Sequence, residues 1–371
     1  MVQTLAFIRQ ATAMTDWRQK VPGTVEKPVS HETAFWYLRP VASSLSVFCT
    51  ALLLFSTGCQ HTIPRVCTPI APAEKIPDPP SLQVCREVNA PDKRAWLEAP
   101  GGSIQVDLDT AEYELDSAVI WKWIGDAVRG VTLYYGRFPV PKSNLIIRPR
   151  SGRGAIWGEA SGRTAQPTVK IQLGRQTRAE DLAEDWTLTH EIVHLAFPNM
   201  VREHLWIEEG LATYVEPLAR YKAGVLTEEA VWYEWLHAMH QGQPEAGDAG
   251  LDHTPTWGRV YWGGALFSLV ADVEIRRVSN NRAGLRDALR GISQAGGSLS
   301  VWWKITDAFT IGDRATKTNV LMTEYEKRRA APAPVDLEDL WSKLGIRIEN
   351  GRVVFDENAP LAAVRRGIVR D

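Results

Sequence analysis

The sequence shows neither a large excess of charge of one sign nor a basic cluster. Its 371 residues include 42 lysines and arginines against 44 aspartates and glutamates, so the formal net charge is −2. Surfaces that bind DNA or RNA depend on clustered positive charge to attract phosphate. We therefore expect no nucleic-acid partner. With 44% hydrophobic residues, the chain is long enough to bury a sizeable core.

Cysteine is scarce, and no C-x-x-C pair occurs among the four positions. Without such pairs, a cysteine-based metal site is not expected. Cys67 and Cys85 lie beyond the N-terminal apolar segment. In an exported chain they could form a disulfide that closes a modest loop, or they could remain free thiols. Their spacing leaves both alternatives open.

The N-terminal apolar run, residues 41–55, is too short to span a bilayer, with about 15 residues against the ~20 that a helix requires. It is followed by Ser56-Thr-Gly-Cys59, which resembles the lipobox of bacterial lipoproteins, with serine in the position usually held by leucine. We predict an N-terminal extension and signal over residues 1–59. A lipid on Cys59 would hold the protein to the membrane of the bacterial cell envelope. An uncleaved anchor and ordinary cleavage are the alternatives.

Prolines separate this signal from the rest of the chain. Six of them fall between Pro64 and Pro80, so residues 60–102 are predicted to form an extended, poorly packed linker. Such a linker would hold the following body away from a membrane surface. The body is predicted to comprise a catalytic subdomain over residues 103–225 and a mainly helical subdomain over residues 226–371.

Hydrophobic periodicity predicts the elements of the body. An apolar stripe indicates a helix over residues 111–130, and three segments rich in β-branched or aromatic residues indicate strands at 145–147, 155–157 and 169–173. Farther on, the pattern is mostly helical, at 227–240, 258–278, 282–291, 298–310, 315–328 and 336–343. Asn350-Gly351 between two apolar segments predicts a hairpin with a type I′ turn.

The most informative stretch is His190-Glu-Ile-Val-His194, an H-E-x-x-H array. On a helix, residues four apart lie one turn apart on the same face, so the two imidazoles can share one tetrahedral Zn²⁺. Glu191 lies beside them, where a carboxylate can take a proton from an attacking water molecule. The array therefore predicts a zinc site with a general base.

The surroundings of the array favour a metal site over a chance occurrence. Between Trp186 and Met200 the only ionisable side chains are those of the motif itself. Burial of a carboxylate and two imidazoles without partners is costly, and a metal ion supplies the compensation. The alternative is a chance match to the array, in which the two histidines lie in the core and form hydrogen bonds without a metal ion. Thr177 and Glu180 predict a capping box that starts this helix, and Pro198 predicts its end.

A second segment, Trp206-Ile-Glu-Glu-Gly-Leu-Ala-Thr-Tyr214, resembles the W-x-x-E-G-x-A-x-Y motif of gluzincin metallopeptidases. This clan holds the M1 and M61 aminopeptidases and the peptidase MA-like proteins. The resemblance implies an α+β fold, with a zincin-like catalytic domain of a small mixed sheet plus zinc-binding helices, and a mainly α-helical C-terminal lobe. It also implies that Glu209 is the third zinc ligand, with Glu208 as a neighbour that does not bind. Gly210 would allow the helices to approach closely.

A third segment, Val260-Tyr-Trp-Gly-Gly-Ala265, resembles the Y-x-K-G-a helix of the M1 and M61 families, with Gly263 in the place of lysine. In those families the tyrosine hydroxyl reaches the scissile carbonyl. The resemblance therefore implies that Tyr261 stabilises the developing negative charge on that oxygen. The alternatives are a packing role for Tyr261, and Tyr214 as the donor.

Together these motifs predict a zinc peptidase of the cell envelope that binds one Zn²⁺ and hydrolyses peptide or protein substrates. The alternative is a non-catalytic, zinc-containing envelope lipoprotein that acts as a scaffold or peptide-binding module. Residues 154–159 lie about where an M1 enzyme carries its G-x-M-E-N strand, and they do not match it. Endopeptidase and aminopeptidase action therefore both stay open. By analogy with the clan, we expect an edge strand in residues 155–173 along which a peptide lies.

Overall fold

The computed structural model describes residues 65–72, 81–87, 94–162 and 166–371. The predicted signal and Cys59 lie outside these ranges. The chain from Pro64 to Asp371 forms one compact unit.

A mixed sheet forms one layer of this unit. Its strands are β1 (Arg65–Pro69), β2 (Gln83–Glu87), β3 (Arg94–Ala99), β4 (Gly102–Asp107), β5 (Lys142–Arg150), β6 (Ala155–Ser161) and β7 (Thr168–Gly174). They lie in the order β1-β2-β3-β4-β5-β7-β6. The first four pair antiparallel, β4, β5 and β7 pair parallel, and β6 returns antiparallel to β7. The strand β6 therefore lies at the edge of the sheet, as expected for the 155–173 region.

Helices account for most of the rest. In the described part of the chain they are α1 (Ser117–Tyr135), α2 (Ala179–Ala183), α3 (Thr187–His194), α4 (Leu205–Lys222), α5 (Glu228–Ala238), α6 (Gly264–Val278), α7 (Leu285–Gln294), α8 (Ile305–Thr316), α9 (Val320–Arg328), α10 (Leu337–Leu344) and α11 (Ala362–Arg370). None of them is long and apolar enough to cross a membrane.

The predicted hairpin is confirmed. The strands β8 (Ile346–Glu349) and β9 (Arg352–Phe355) pair antiparallel, and φ is 50° at Asn350 and 74° at Gly351. A type I′ turn requires positive φ at both central residues, which asparagine and glycine tolerate best. With a mixed sheet in one half and mainly helices in the other, the predicted α+β class is confirmed.

The predicted linker over residues 60–102 is wrong for its described part, because that part contributes strands β1, β2 and β3 to the sheet. Leu82, Val84 and Leu97 are buried there. The prolines indicated an extended, poorly packed linker, yet Pro69 is the last residue of β1 and Pro100 follows the end of β3. At these positions proline ends a strand and removes no hydrogen bond from its interior.

A disulfide joins the first two strands. Cys67 and Cys85 face each other in the antiparallel register of β1 and β2, and their sulfur atoms are bonded. Of the two alternatives that the spacing left open, the structure therefore has the disulfide.

Most predicted helices are present, with shifted ends. The helix predicted over 111–130 begins later, at Ser117, because the Asp116 carboxylate accepts a hydrogen bond from the Ala118 amide. The helix predicted over 298–310 begins at Ile305. The preceding residues are extended because Val301 and Trp303 form backbone hydrogen bonds with Asn199. The final helix, α11, was not predicted.

Removal of the disulfide tests how firmly β1 and β2 belong to the sheet. We expect the double substitution Cys67→Ser, Cys85→Ser to lower the free energy of unfolding by about 2–4 kcal/mol, because the bond closes a loop of 18 residues in sequence. Denaturant unfolding of the purified protein would measure the loss. Non-reducing peptide mapping should recover the two cysteines in one linked peptide, and alkylation of both as free thiols would contradict the assignment.

Candidate active site

The helix that carries the H-E-x-x-H array is short, and a half-buried aspartate starts it. The Asp185 carboxylate accepts hydrogen bonds from the amides of Thr187 and Leu188, each at 3.2 Å, and from the Trp123 indole at 3.0 Å. Amides of a first helical turn lack partners within the helix, so a carboxylate in this place both satisfies them and complements the helix dipole. Asp185 thereby fixes where α3 begins.

The predicted capping box of Thr177 and Glu180 is wrong. The Thr177 hydroxyl donates to the Gly174 carbonyl at 2.6 Å and accepts from the Gly154 amide at 2.9 Å, so it closes a turn beside the sheet. The predicted helix is two helices, α2 and α3, separated at Asp185. A carboxylate that accepts hydrogen bonds from the backbone amides that follow it in sequence competes with the helical hydrogen bonds that would have joined α2 to α3.

The third candidate ligand, Glu209, lies on α4. This helix crosses α6 at a point where two glycines face each other. A Cβ atom placed on Gly210 would lie 2.2 Å from the Gly264 Cα, and one placed on Gly264 would lie 1.9 Å from the Trp206 carbonyl oxygen. Any side chain at either position would push the helices apart. The close approach expected of Gly210 is therefore present, and Glu209 lies beside it.

The structure brings His190, His194 and Glu209 together. One ligand atom from each lies within 4.8 Å of the others. Glu209 Oε2 is 3.2 Å from His190 Nε2 and 3.6 Å from His194 Nε2. The edges of a zinc tetrahedron with bonds near 2.0 Å are ~3.3 Å long. Two imidazole nitrogens and one carboxylate oxygen at these separations fit Zn²⁺ and leave room for a fourth ligand.

The charges of the two histidines and of the glutamate carboxylate stabilise one another. Burial alone would lower the pKa of His194, but the carboxylates of Glu209 and Glu191 raise it to about 9. Burial alone would raise the pKa of Glu209, but His194 and His190 hold it well below its usual range. A positive charge is therefore favoured at the point where the three side chains meet, which is what a cation site requires.

The neighbouring Glu208 points elsewhere. Its Oε1 accepts a hydrogen bond from the Met200 amide at 2.8 Å, and burial raises its pKa to about 7. Of the two consecutive acids, only Glu209 belongs to the cluster of possible metal ligands. Glu208 ties α4 to the segment that follows α3.

Glu191 also lies on α3, and its side chain packs against strand β6. It is buried, and burial raises the pKa of its carboxyl group despite the opposing effect of the two histidines. The nearby Ala160 backbone amide favours the charged form of the carboxylate and so opposes this rise in pKa. A carboxylate whose proton affinity is raised in this way is suited to take up a proton and release it again.

Tyr261 completes the wall of the site from a different element. It lies in a π-helical turn, Arg259–Gly263, that precedes α6. Its ring stacks between His190, at 6.2 Å between ring centroids, and Trp257, at 5.8 Å. Burial raises the pKa of the Tyr261 hydroxyl far above its usual value, and the nearby carboxylates of Glu209 and Glu191 raise it further. The hydroxyl therefore stays protonated and can donate.

The competing tyrosine has a different environment. Tyr214 is fully buried, its hydroxyl donates to Asp272 Oδ2 at 2.9 Å, and its ring stacks on Trp235 at 4.8 Å. Asp272 also accepts from Arg276 and from the Leu285 amide. Tyr214 therefore belongs to a buried network between helices, away from the cluster of ligands.

Sequence reasoning missed Asp185, and it also missed Asp252. The Asp252 carboxylate accepts hydrogen bonds from His204 at 3.1 Å, Trp206 at 2.8 Å and Tyr325 at 2.9 Å. It thereby joins the start of α4 to α9. These partners are 46 to 73 residues away in sequence, and no local pattern signals a contact of that range.

Searches with the sequence find no matching family model and no matching curated protein. Among solved structures, the chain is similar to an aminopeptidase N family protein from Idiomarina loihiensis, with 14% identity, a TM-score of 0.48, and coverage of 77% of this chain and 50% of that one. It is similar to an M1 zinc metallopeptidase from Deinococcus radiodurans, with 13% identity, a TM-score of 0.40, and coverage of 69% and 55%. The chain thus spans about half the length of each. These structures belong to the family that the motifs resemble.

The two consecutive glutamates provide a matched test of the metal site. Loss of a residue that only hydrogen-bonds a metal ligand typically weakens metal binding by ~10–100-fold. We expect Glu209→Gln to weaken zinc binding by more than this, because it removes an ionised ligand. Glu208→Gln should retain stoichiometric zinc, since that side chain holds the Met200 amide. Competitive titration with a chelating dye and elemental analysis would measure both. Equal losses in the two variants would contradict the assignment.

Proposed function

We propose that this protein is a zinc-dependent peptidase with His190, His194 and Glu209 as the metal ligands. The observation that carries the proposal is the convergence of these three donors, from two helices, beside a buried glutamate. A purely structural zinc site is usually closed by four protein ligands, whereas a catalytic site has three and an open position. The alternative, a non-catalytic scaffold, gives no role to Glu191.

In this proposal the chain's own groups handle the proton and orient the substrate. Zinc bound to the three ligands supplies Lewis-acid chemistry, which polarises the scissile carbonyl and makes water more acidic. Glu191 takes a proton from the attacking water on a carboxylate oxygen and passes it to the leaving amine nitrogen. Tyr261 donates a hydrogen bond to the carbonyl oxygen as negative charge develops there.

The edge strand β6 is the proposed platform for the peptide. An edge strand offers unpaired backbone groups to which an extended peptide can add as a further strand. The Ala160 amide lies close to the Glu191 carboxylate, and we propose that the peptide pairs with the part of β6 that precedes Ala160. Glu159 is half-exposed and 3.5 Å from Lys170, which gives no support to a role in binding a substrate amino terminus.

We further propose that the protein is exported and lipid-anchored at Cys59 in the bacterial cell envelope. The support is the signal-like sequence before Cys59 and the disulfide between Cys67 and Cys85. Disulfides persist in oxidising compartments outside the cytosol.

The primary test replaces the proposed base. We expect Glu191→Gln to keep stoichiometric zinc and to lower kcat by about 10²–10⁴-fold, because amide nitrogen and oxygen cannot accept the proton. Cleavage of a peptide library, read by mass spectrometry, would compare the variant with wild type and show whether cuts are internal or confined to the amino terminus. A zinc-loaded wild type that cleaves nothing would favour the scaffold, and a fully active variant would remove Glu191 from the mechanism.

The two tyrosines test the oxyanion donor. We expect Tyr261→Phe to lower kcat by about 10²–10³-fold with zinc retained, as for loss of one oxyanion-hole donor. Tyr214→Phe serves as the matched control. It should leave kcat within about twofold and instead lower the free energy of unfolding by ~1.5–3 kcal/mol, because it leaves a buried Asp272 oxygen without its donor. The opposite pattern would make Tyr214 the donor.

The anchor is tested by Cys59→Ala. We expect wild type to incorporate a radiolabelled fatty acid and to sediment with membranes, and the variant to lose the label. Labelling that persists in the variant would place the lipid on another residue. A wild type without label would exclude the anchor and leave the peptidase proposal untouched.

A further inference from the structure

We propose that Gly158 is a positioning residue for the general base: the space left by its missing side chain is the space that the Glu191 carboxylate occupies. This inference rests on the proposed peptidase function. Gly158 lies in the middle of β6, on the strand face that meets α3. It touches no substrate atom in this role and acts only through Glu191.

The steric evidence is direct. A Cβ atom placed on Gly158 would lie 2.7 Å from Glu191 Cγ, 2.8 Å from Glu191 Oε1 and 2.8 Å from Thr187 Cγ2. All three distances are shorter than the separation at which two carbon atoms, or a carbon and an oxygen, meet without repulsion. A methyl group at residue 158 and the present Glu191 conformation therefore exclude each other.

Backbone conformation does not account for this glycine. The φ angle of Gly158 is not positive, and its neighbours Trp157 and Glu159 continue the same strand. An alanine could adopt this backbone, and alanine is less costly than glycine in a strand interior. The space filled by Glu191 and by the Thr187 methyl group is the feature of the site that requires glycine.

A second group of the same strand also favours this position of the carboxylate. The Ala160 backbone amide lies close enough to the Glu191 carboxylate to stabilise its charged form. Gly158 thus admits the carboxylate to the strand, where the Ala160 amide favours its negative charge. The strand fixes the direction in which the base faces the metal ligands.

The first experiment measures kcat, KM and zinc content of Gly158→Ala against Ser161→Ala, a control on the same strand. We expect the Gly158 variant to keep zinc and a KM within about twofold, and to lose about tenfold or more in kcat, because a displacement near 1 Å can cost that much. In a Glu191→Gln background the same substitution should change the residual rate by less than about twofold. An unchanged kcat, loss of zinc, or an equal loss in both backgrounds would overturn the proposal.

The second experiment needs no activity. We expect Gly158→Ala to lower the unfolding temperature of the metal-free protein by a few degrees, and to lower it by less than half as much in a Glu191→Ala background, where Cγ and Oε1 are gone. Equal shifts would show that Glu191 does not occupy this space. If Gly158→Ala does not fold alone, the pair with Thr187→Ser removes the third contact and retains the two with Glu191.

The two experiments separate this inference from the proposed function. If zinc-loaded wild type cleaves no peptide, the catalytic role of Gly158 falls with the peptidase, while the unfolding temperatures still decide whether the strand holds Glu191. If wild type is active and the unfolding shifts are equal, the peptidase stands and the role of Gly158 is excluded.

Discussion

The contact between Gly210 and Gly264 is the constraint on which the site depends. It allows α4 and α6 to cross with a backbone separation that no side chain could tolerate. Glu209 precedes the first glycine and lies 3.2 and 3.6 Å from the two histidines of α3. Tyr261 lies three residues before the second glycine and stacks on His190. A methyl group at either glycine would push α4 and α6 apart and so change the position of Glu209 relative to Tyr261.

The residues of the site come from separate parts of the chain, and each is held by a group outside the metal cluster. Asp185 sets the start of α3 through three hydrogen bonds. Glu208 binds the segment after α3, and Asp252 binds the start of α4. A site that must keep its ligands within a few tenths of an ångström needs supports of this kind.

Local motifs predicted the chemistry of the site better than its surroundings. The spacing of the H-E-x-x-H array brings its two histidines to one face of a helix, whereas Glu209 was implied by the resemblance of its segment to the gluzincin motif. Asp185 was missed because a capping box nearby offered a competing start. Strands β1 to β3 were missed because proline was taken as a sign of an extended, poorly packed linker, although Pro69 and Pro100 lie at strand ends. Asp252 and Gly158 depend on contacts across the fold that one sequence does not encode locally.

The order of the strands determines the distance between the first strand, β1, and the edge strand beside Glu191. The chain enters the sheet at β1, and the edge strand beside Glu191 is β6, at the opposite edge of a sheet of seven strands. Six spacings of about 4.8 Å place these edges roughly 29 Å apart. The proposed active site therefore lies beside the edge of the sheet that is farthest from its first strand. A folded layer, stapled at its first edge by the disulfide, lies where an extended linker was expected.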